Sequence, residues 1–181
     1  MNSFLRSLSF LLVFNLVLCF SNNVYLSKEV YASELSQNIA QTKHTKQTET
    51  KQNLNQKLLI AAQNGKNEEV RSLLAQATDV NVRDEYGWTP LLWAAMNGHT
   101  DIVRILLVSG ANPNTRNKYG WTPLMWAAGQ GYGDIVRSLI ASGARLNAQD
   151  RNGWTAIMWA WDSKQTEIVV ILRSATRKDR G

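Results

Sequence analysis

The 181-residue chain holds one cysteine, Cys19, three prolines and two histidines. A single cysteine excludes a disulfide-stapled scaffold. Three prolines with eleven glycines exclude collagen-like and proline-rich chains, which use those residues in bulk where a packed core is missing. His44 and His99 stand far apart and beside no candidate nucleophile, so no zinc-type cluster and no activated Ser or Cys can be named. Neither Gly-x-Ser-x-Gly nor His-Glu-x-x-His occurs, and Gly129-Gln130-Gly131-Tyr132-Gly133 lacks the Gly-Lys-Ser/Thr ending of a phosphate loop. The sequence thus nominates no catalytic residue, no cofactor and no metal ligand, and reads as a non-enzyme.

Long apolar runs are equally scarce. The one candidate, Leu8 to Phe20 (LSFLLVFNLVLCF), makes about 20 Å of helix where a membrane span needs about 30 Å. Arg6 precedes it and the polar stretch 21–32 follows, the three-part layout of a secretory signal. Ala32 before Ser33 offers a small-residue cleavage site, so residues 1–32 are expected to be a signal peptide and the mature chain to be exported, periplasmic or secreted. The alternative is an uncleaved anchor running on to Leu26, which would leave the chain N-terminally membrane-anchored. Cleavage removes the only cysteine, which suits an oxidising compartment. Residues 33–53 carry few apolar side chains (Leu35, Ile39, Ala40) among Gln, Thr, Lys and Asn, and read as a flexible polar spacer.

What is abundant is tryptophan, seven against four phenylalanines, and it recurs. Gly87-Trp88-Thr89, Gly120-Trp121-Thr122 and Gly153-Trp154-Thr155 are spaced by 33 residues without slip, and the same spacing joins Val70, Val103, Val136 and Val169, then Asn81, Asn114 and Asn147. Thr89-Pro90 opens a helix with a capping hydroxyl and a proline where no N–H is needed, and Gly98 ends it. Ile102, Val103, Ile105, Leu106 and Leu107 give a second helix, from about Thr100 to Val108, its apolar face, and Ser109-Gly110 stops it. Asp101/Arg104 and Asp134/Arg137 are surface pairs of structural weight only.

These units resemble ankyrin repeats, with Asp84 to Arg116 (DEYGWTPLLWAAMNGHTDIVRILLVSGANPNTR) close to the family pattern throughout, and the leader makes the chain resemble an exported, bacterial member. The resemblance implies an all-α solenoid of about four helix-turn-helix repeats over 54–176, in units of about 51–83, 84–116, 117–149 and 150–180, followed by a basic tail at 177–181. It also implies loops that, with the first helices, form a concave face for binding another protein. Family repeats usually carry a loop-tying His after Thr-Pro-Leu, and this chain has Leu92, Met125 and Met158. Trp161, in the column of Ala95 and Ala128, and Lys164, in the column of Gly98 and Gly131, indicate that no repeat follows the fourth.

On the implied face, Trp88, Trp121 and Trp154 form a column that is either an exposed binding ladder or an inter-repeat stack. Trp93, Trp126 and Trp159 form a second column, in the first helices, expected to pack or to line the groove floor. Tyr86, Tyr119, Met96, Asn97, Gln130, Arg83, Arg116, Lys118 and Arg151 complete the candidate protein-binding set. The excess of 20 Lys and Arg over 14 Asp and Glu, with cations recurring beside aromatics, suits an extended or acidic segment as partner. The expected protein is a monomer that binds no nucleic acid. The alternatives are a polyanion or envelope-surface adhesion module and a host-directed effector.

Overall fold

The computed structural model describes residues 28–76 and 78–178. Among the described residues eight helices follow in order: α1 Lys28–Gln63, α2 Asn67–Ala75, α3 Pro90–Met96, α4 Thr100–Val108, α5 Pro123–Gln130, α6 Gly133–Ala141, α7 Ala156–Asp162 and α8 Thr166–Lys178. No strand occurs among the described residues. The expected leader lies outside them as far as residue 27, and the expected basic tail from residue 179. No helix among them is long and apolar enough to cross a membrane.

The chain divides into two compact units, Met1–Glu49 and Thr50–Gly181. The described part of the first lies in α1, which corrects the reading of 33–53 as a flexible spacer. α1 contains neither Gly nor Pro and is rich in Gln, Lys, Glu, Ala and Leu, so nothing interrupts its hydrogen-bond ladder although it has no apolar face before Leu54. Leu35 and Ile39 are exposed accordingly.

The second unit is a helical solenoid of four helix pairs: the end of α1 with α2, then α3/α4, α5/α6 and α7/α8. First helices pack on first helices, α3 on α5 and α5 on α7, and second helices on second, α2 on α4, α4 on α6 and α6 on α8. The core repeats with the sequence: Leu58, Leu91 and Leu124 form one buried column, Ile102, Ile135 and Ile168 another, and Leu106, Leu139 and Leu172 a third. Each such side chain contributes about 1.5–3 kcal/mol when fully buried. None of the units could seal this core alone, because each pair's inner face is closed by the next.

Local chemistry sets the boundaries. Thr89 and Thr122 are extended N-caps whose hydroxyls accept from the amides of Leu92 and Met125, both at 3.3 Å, ahead of Pro90 and Pro123. Leu92 and Met125, which replace the usual His, are buried, and Met125 Sδ accepts the Thr122 amide at 3.4 Å, closing the cap from the other side. Thr155 makes no side-chain cap. At the turns within pairs, Gly98 has φ 75°, and a Cβ there would lie 2.8 Å from Cζ of Tyr132 in the following pair. Its fourth-pair counterpart Lys164 takes φ 60° with a full side chain, and Trp161 beside it is 69% exposed, with the Arg173 guanidinium 5.9 Å from its ring centre. Asp101–Arg104 and Asp134–Arg137 are exposed pairs at 3.8 and 3.9 Å, worth at most a few tenths of a kcal/mol.

Candidate functional site

Each loop before a first helix is pinned by one carboxylate or amide. Asp84 Oδ1 accepts from the amides of Tyr86 and Trp88, both at 2.9 Å. Asn117 Oδ1 does the same for Tyr119 and Trp121 at 2.9 and 3.1 Å, and Asp150 Oδ1 for Asn152 and Trp154 at 2.8 and 3.0 Å. These Asx turns fix where the next three side chains point. Successive loops are then tied to each other: the Lys118 amide donates to Tyr86 O at 2.9 Å and the Arg151 amide to Tyr119 O at 3.2 Å.

Two of the four expected cations belong to this scaffold. Arg83 donates to the carbonyl of Arg116 at 2.8 Å and to Thr115 Oγ1 at 2.9 Å, and Arg116 donates to the carbonyls of Gly120 and, one repeat on, Gln149. Asn81 and Asn114 add a second set of ties, accepting from the amides of Asn112 and Arg145 at 2.8 and 2.7 Å. Guanidinium and amide bridges therefore tie the loops where the His is missing, and Arg83, Arg116, Lys118 and Arg151 are all exposed. Lys118 Nζ lies 5.7 Å from the ring centre of Tyr86. Tyr86 and Tyr119 are about half exposed. Asn97 is exposed but donates to Gln63 O at 3.1 Å, and Met96 is half-buried.

The loop tryptophans are not an exposed ladder. Trp88 is 8% exposed, and Trp121 and Trp154 are half-buried. The two expected Trp columns interleave into one row. Trp88 stacks on Trp93 (centroids 4.4 Å, planes at 20°) and meets Trp126 of the next pair at 5.7 Å. Trp121 meets Trp126 edge-on at 4.7 Å and Trp159 of the next pair at 6.3 Å, and Trp154 meets Trp159 at 5.1 Å. Each loop ring thus bridges the first helix of its own pair and, where a pair follows, that of the next, burying area and adding about 0.5–1.5 kcal/mol per ring pair. Tyr119, 5.2 Å from Trp121, extends the row toward solvent.

The row opens at one place. On the first-helix side, Trp121, Met125, Trp126, Gln130, Trp159 and Ser163 surround a cleft of about 280 Å³. Its floor includes Gly129, whose counterparts are Met96 and Asp162. Gly129 lies inside α5 without a positive φ, where Gly costs up to about 1 kcal/mol relative to Ala. A Cβ there would make only ordinary contacts, at 3.8 Å to Ser163 Oγ and Trp159 Cβ. Of the residues expected at the site, Trp121 and Gln130 line the cleft. Trp126 and Trp159, expected to pack or to line the groove floor, line it as well; Met125, Gly129 and Ser163 were not in the candidate set, and the one readable signal for them was a glycine in the last turn of α5. The Gly129–Gly133 stretch forms the α5–α6 turn, not a strand-to-helix loop.

Beside the cleft the polar accounting is uneven. Trp159 Nε1 donates to Asp150 Oδ2 at 3.1 Å, whereas Trp126 Nε1 and Asn117 Nδ2, at the equivalent positions one repeat earlier, are buried without a partner. Asn117 cannot turn its oxygen toward Trp126 without losing its bonds to the loop amides. Among the described residues no group of three His, Cys, Asp or Glu could hold a metal ion.

No curated protein matches the chain. The family model of ankyrin repeats matches in three copies, over residues 32–117, 58–150 and 107–180. The helix pairs, the Thr-Pro caps and this match together place the chain in the ankyrin repeat family.

Proposed function

We propose that the chain is an exported, non-catalytic module that binds an extended, acidic protein segment across its first helices and the loops preceding them. Ankyrin repeats are generally protein–protein interaction modules, and the observation that carries the finer reading is the set of loop-to-loop hydrogen bonds. They hold the backbone that carries exposed Tyr86, Tyr119, Lys118 and Arg151 in place before any partner arrives, so little loop-ordering entropy opposes binding. Half-exposed tyrosines beside cations are the residue types that anchor such contacts. A polyanion is the weaker candidate, because Arg83 and Arg116, though exposed and charged, direct donors to loop carbonyls that a phosphate or sulfate would otherwise engage.

The test is site-specific photo-crosslinking of the mature chain in its native envelope fraction. A crosslinker at Tyr119 should give one dominant protein adduct and a crosslinker at Val108, 90% exposed on a second helix, should not. Equal capture at both positions would overturn the assignment of the face. Export is checked separately: intact-mass analysis should show loss of residues 1–32, and retention of Met1 would favour the anchored form.

A further inference from the structure

The fourth pair ends the array on a surface that the earlier pairs bury, and the inner junctions show which residues face outward there. A Cβ at Gly98 would lie 2.8 Å from the Tyr132 ring of the following pair, and one at Gly129 would lie 3.8 Å from Trp159 Cβ and Ser163 Oγ. Lys164 and Asp162, in the same two columns, therefore project where a fifth pair would sit. Met158 holds the column of Met125, which lines a cleft with Trp159 of the next pair, and Trp161 the column of fully buried Ala128. Val170 holds the column of Arg137, which bonds Glu167 of the next pair at 3.0 Å. A terminal repeat stays soluble by turning polar on this side. Here the changes run the other way. Trp replaces Ala, and Val replaces the arginine of Arg71, Arg104 and Arg137, leaving Met158, Trp161 and Val170 49, 69 and 59% exposed. We propose that this end face is a homodimer interface, on which a second copy of the chain docks about a two-fold axis. A dimer departs from the monomer expected on sequence grounds.

Shape and charge select the occupant. At the inner junctions the next pair approaches closely because Ala95 and Ala128 are small and Gly98 and Gly131 carry no side chain. Trp161 and Lys164 fill both of these positions, so neither a further repeat nor the first pair of another copy can stack here in the register of the array. This disfavours head-to-tail association, which would run on into fibres, and favours a closed contact of the face with itself. The face is built for that contact. Ala160, Trp161, Thr166 and Val169 line a hollow of about 460 Å³, so each copy offers a projecting ring and a recess beside it. Asp162 and Lys164 border the same hollow with opposite charge. A strongly acidic or strongly basic partner would meet one of them as a like charge, whereas a two-fold axis sets Asp162 of each copy against Lys164 of the other. Arg173 stays over its own Trp161 ring, at 5.9 Å from the centre. The charge of +6 on the whole chain opposes the approach of two copies, and a face that carries both signs is where this repulsion is least. Two helices side by side, the longer of them about 20 Å, make a contact at the small end of specific interfaces, so the dimer is weak.

Sedimentation velocity of the full chain over a concentration series measures the contact directly. The chain should exchange reversibly between one and two copies, with a dissociation constant of about 10–100 µM, and form nothing larger. Trp161→Glu should abolish the dimer, and Val170→Arg, which installs the residue of the preceding pairs, should weaken it about fivefold or more. Both side chains are exposed, so helical circular dichroism and the melting temperature of the monomer should be kept in both variants. Asp162→Lys and Lys164→Asp should each weaken self-association about fivefold, aspartate tolerating the φ of 60° at position 164. An equal mixture of these two variants should associate at least as tightly as the original chain, because the exchanged charges meet only across two copies. A chain that stays monomeric, unchanged association in a folded Trp161→Glu variant, growth into open-ended species, or a mixture that fails to recover would each overturn the dimer. A monomeric chain whose Trp161→Glu variant loses the protein adduct crosslinked at Tyr119 would likewise overturn it, and would assign the end face to that other protein. Unequal crosslinking at Tyr119 and Val108 tests the concave face by itself, whatever the outcome at the end face.

Discussion

The junction between the second and third pairs and the junction between the third and fourth use the same tryptophan columns at the same 33-residue spacing, and they close differently. In the first, Trp88, stacked on Trp93 of its own pair and 8% exposed, meets Trp126 across the junction at 5.7 Å with planes at 35°, and Met96 is half-buried. In the second, Trp121, edge-on to Trp126 of its own pair, meets Trp159 across the junction at 6.3 Å with planes at 88°, stays half-buried, and borders the cleft over Gly129. The repeat register decides which residues can meet. A side chain at a position where the register permits anything decides whether the junction is sealed or open.

Truncating the rings gives the largest test of that difference. Trp88→Ala removes a buried stacked ring and should lower stability by about 3–4 kcal/mol in denaturant titration. Trp121→Ala, already half solvated, should cost roughly 2 kcal/mol. Equal midpoints for the two variants would mean that the junctions are energetically alike and that the cleft is not a weak point in the row.

The next test concerns the two glycines at the ends of the neighbouring helices. Gly98→Ala places a Cβ at φ 75° and 2.8 Å from the Tyr132 ring, and should cost about 2 kcal/mol. Gly129→Ala meets neither obstacle and should raise stability by about 1 kcal/mol. Thermal melts of the pair should therefore move in opposite directions. A destabilised Gly129→Ala chain would show that folding does need the glycine.

The sequence made the architecture legible because its signals are local. Thr89 and Thr122 cap the helices that the Thr-Pro pairs announce, and the α4 boundaries, Thr100–Val108, coincide with the expected second helix. The site was less legible because its determinants are not local. Trp88 with Trp126, and Trp121 with Trp159, lie 38 residues apart in different columns, so only the stacking of pairs brings them together. The loop-tying part that Arg83 and Arg116 play is not readable either, because the acceptors they reach are backbone carbonyls, which have no sequence signature. Residues 33–53 misled in the opposite direction. Scarcity of apolar residues excludes a core face, but it does not break a helix that holds neither Gly nor Pro.

The smallest expected effect isolates the polar difference between the junctions. Asp150, 6% exposed, accepts from Asn152 N, Trp154 N and Trp159 Nε1, three donors around one buried carboxylate. Asn117, equally 6% exposed, accepts from Tyr119 N and Trp121 N but points an amide N–H₂ where the carboxylate's second oxygen would be, leaving Trp126 Nε1 unpaired. Asp150→Asn should reproduce that mismatch in the fourth pair and cost about 1 kcal/mol. Asn117→Asp introduces a buried charge, whose desolvation is unfavourable, but surrounds it with the same kinds of donor that Asp150 already has, so the charge-assisted bonds should outweigh the penalty by about 0.5 kcal/mol. The readouts are the denaturant midpoint and the Trp126 indole proton resonance, which should move downfield on forming the bond. Combining the two changes transfers the indole bond from one junction to the other, and the double variant should return to within about 0.5 kcal/mol of the sum of the singles if each bond acts within its own loop. A midpoint that falls in Asn117→Asp would mean that desolvation prevails at this junction, and that the unpaired indole of Trp126 costs the fold less than a buried carboxylate would.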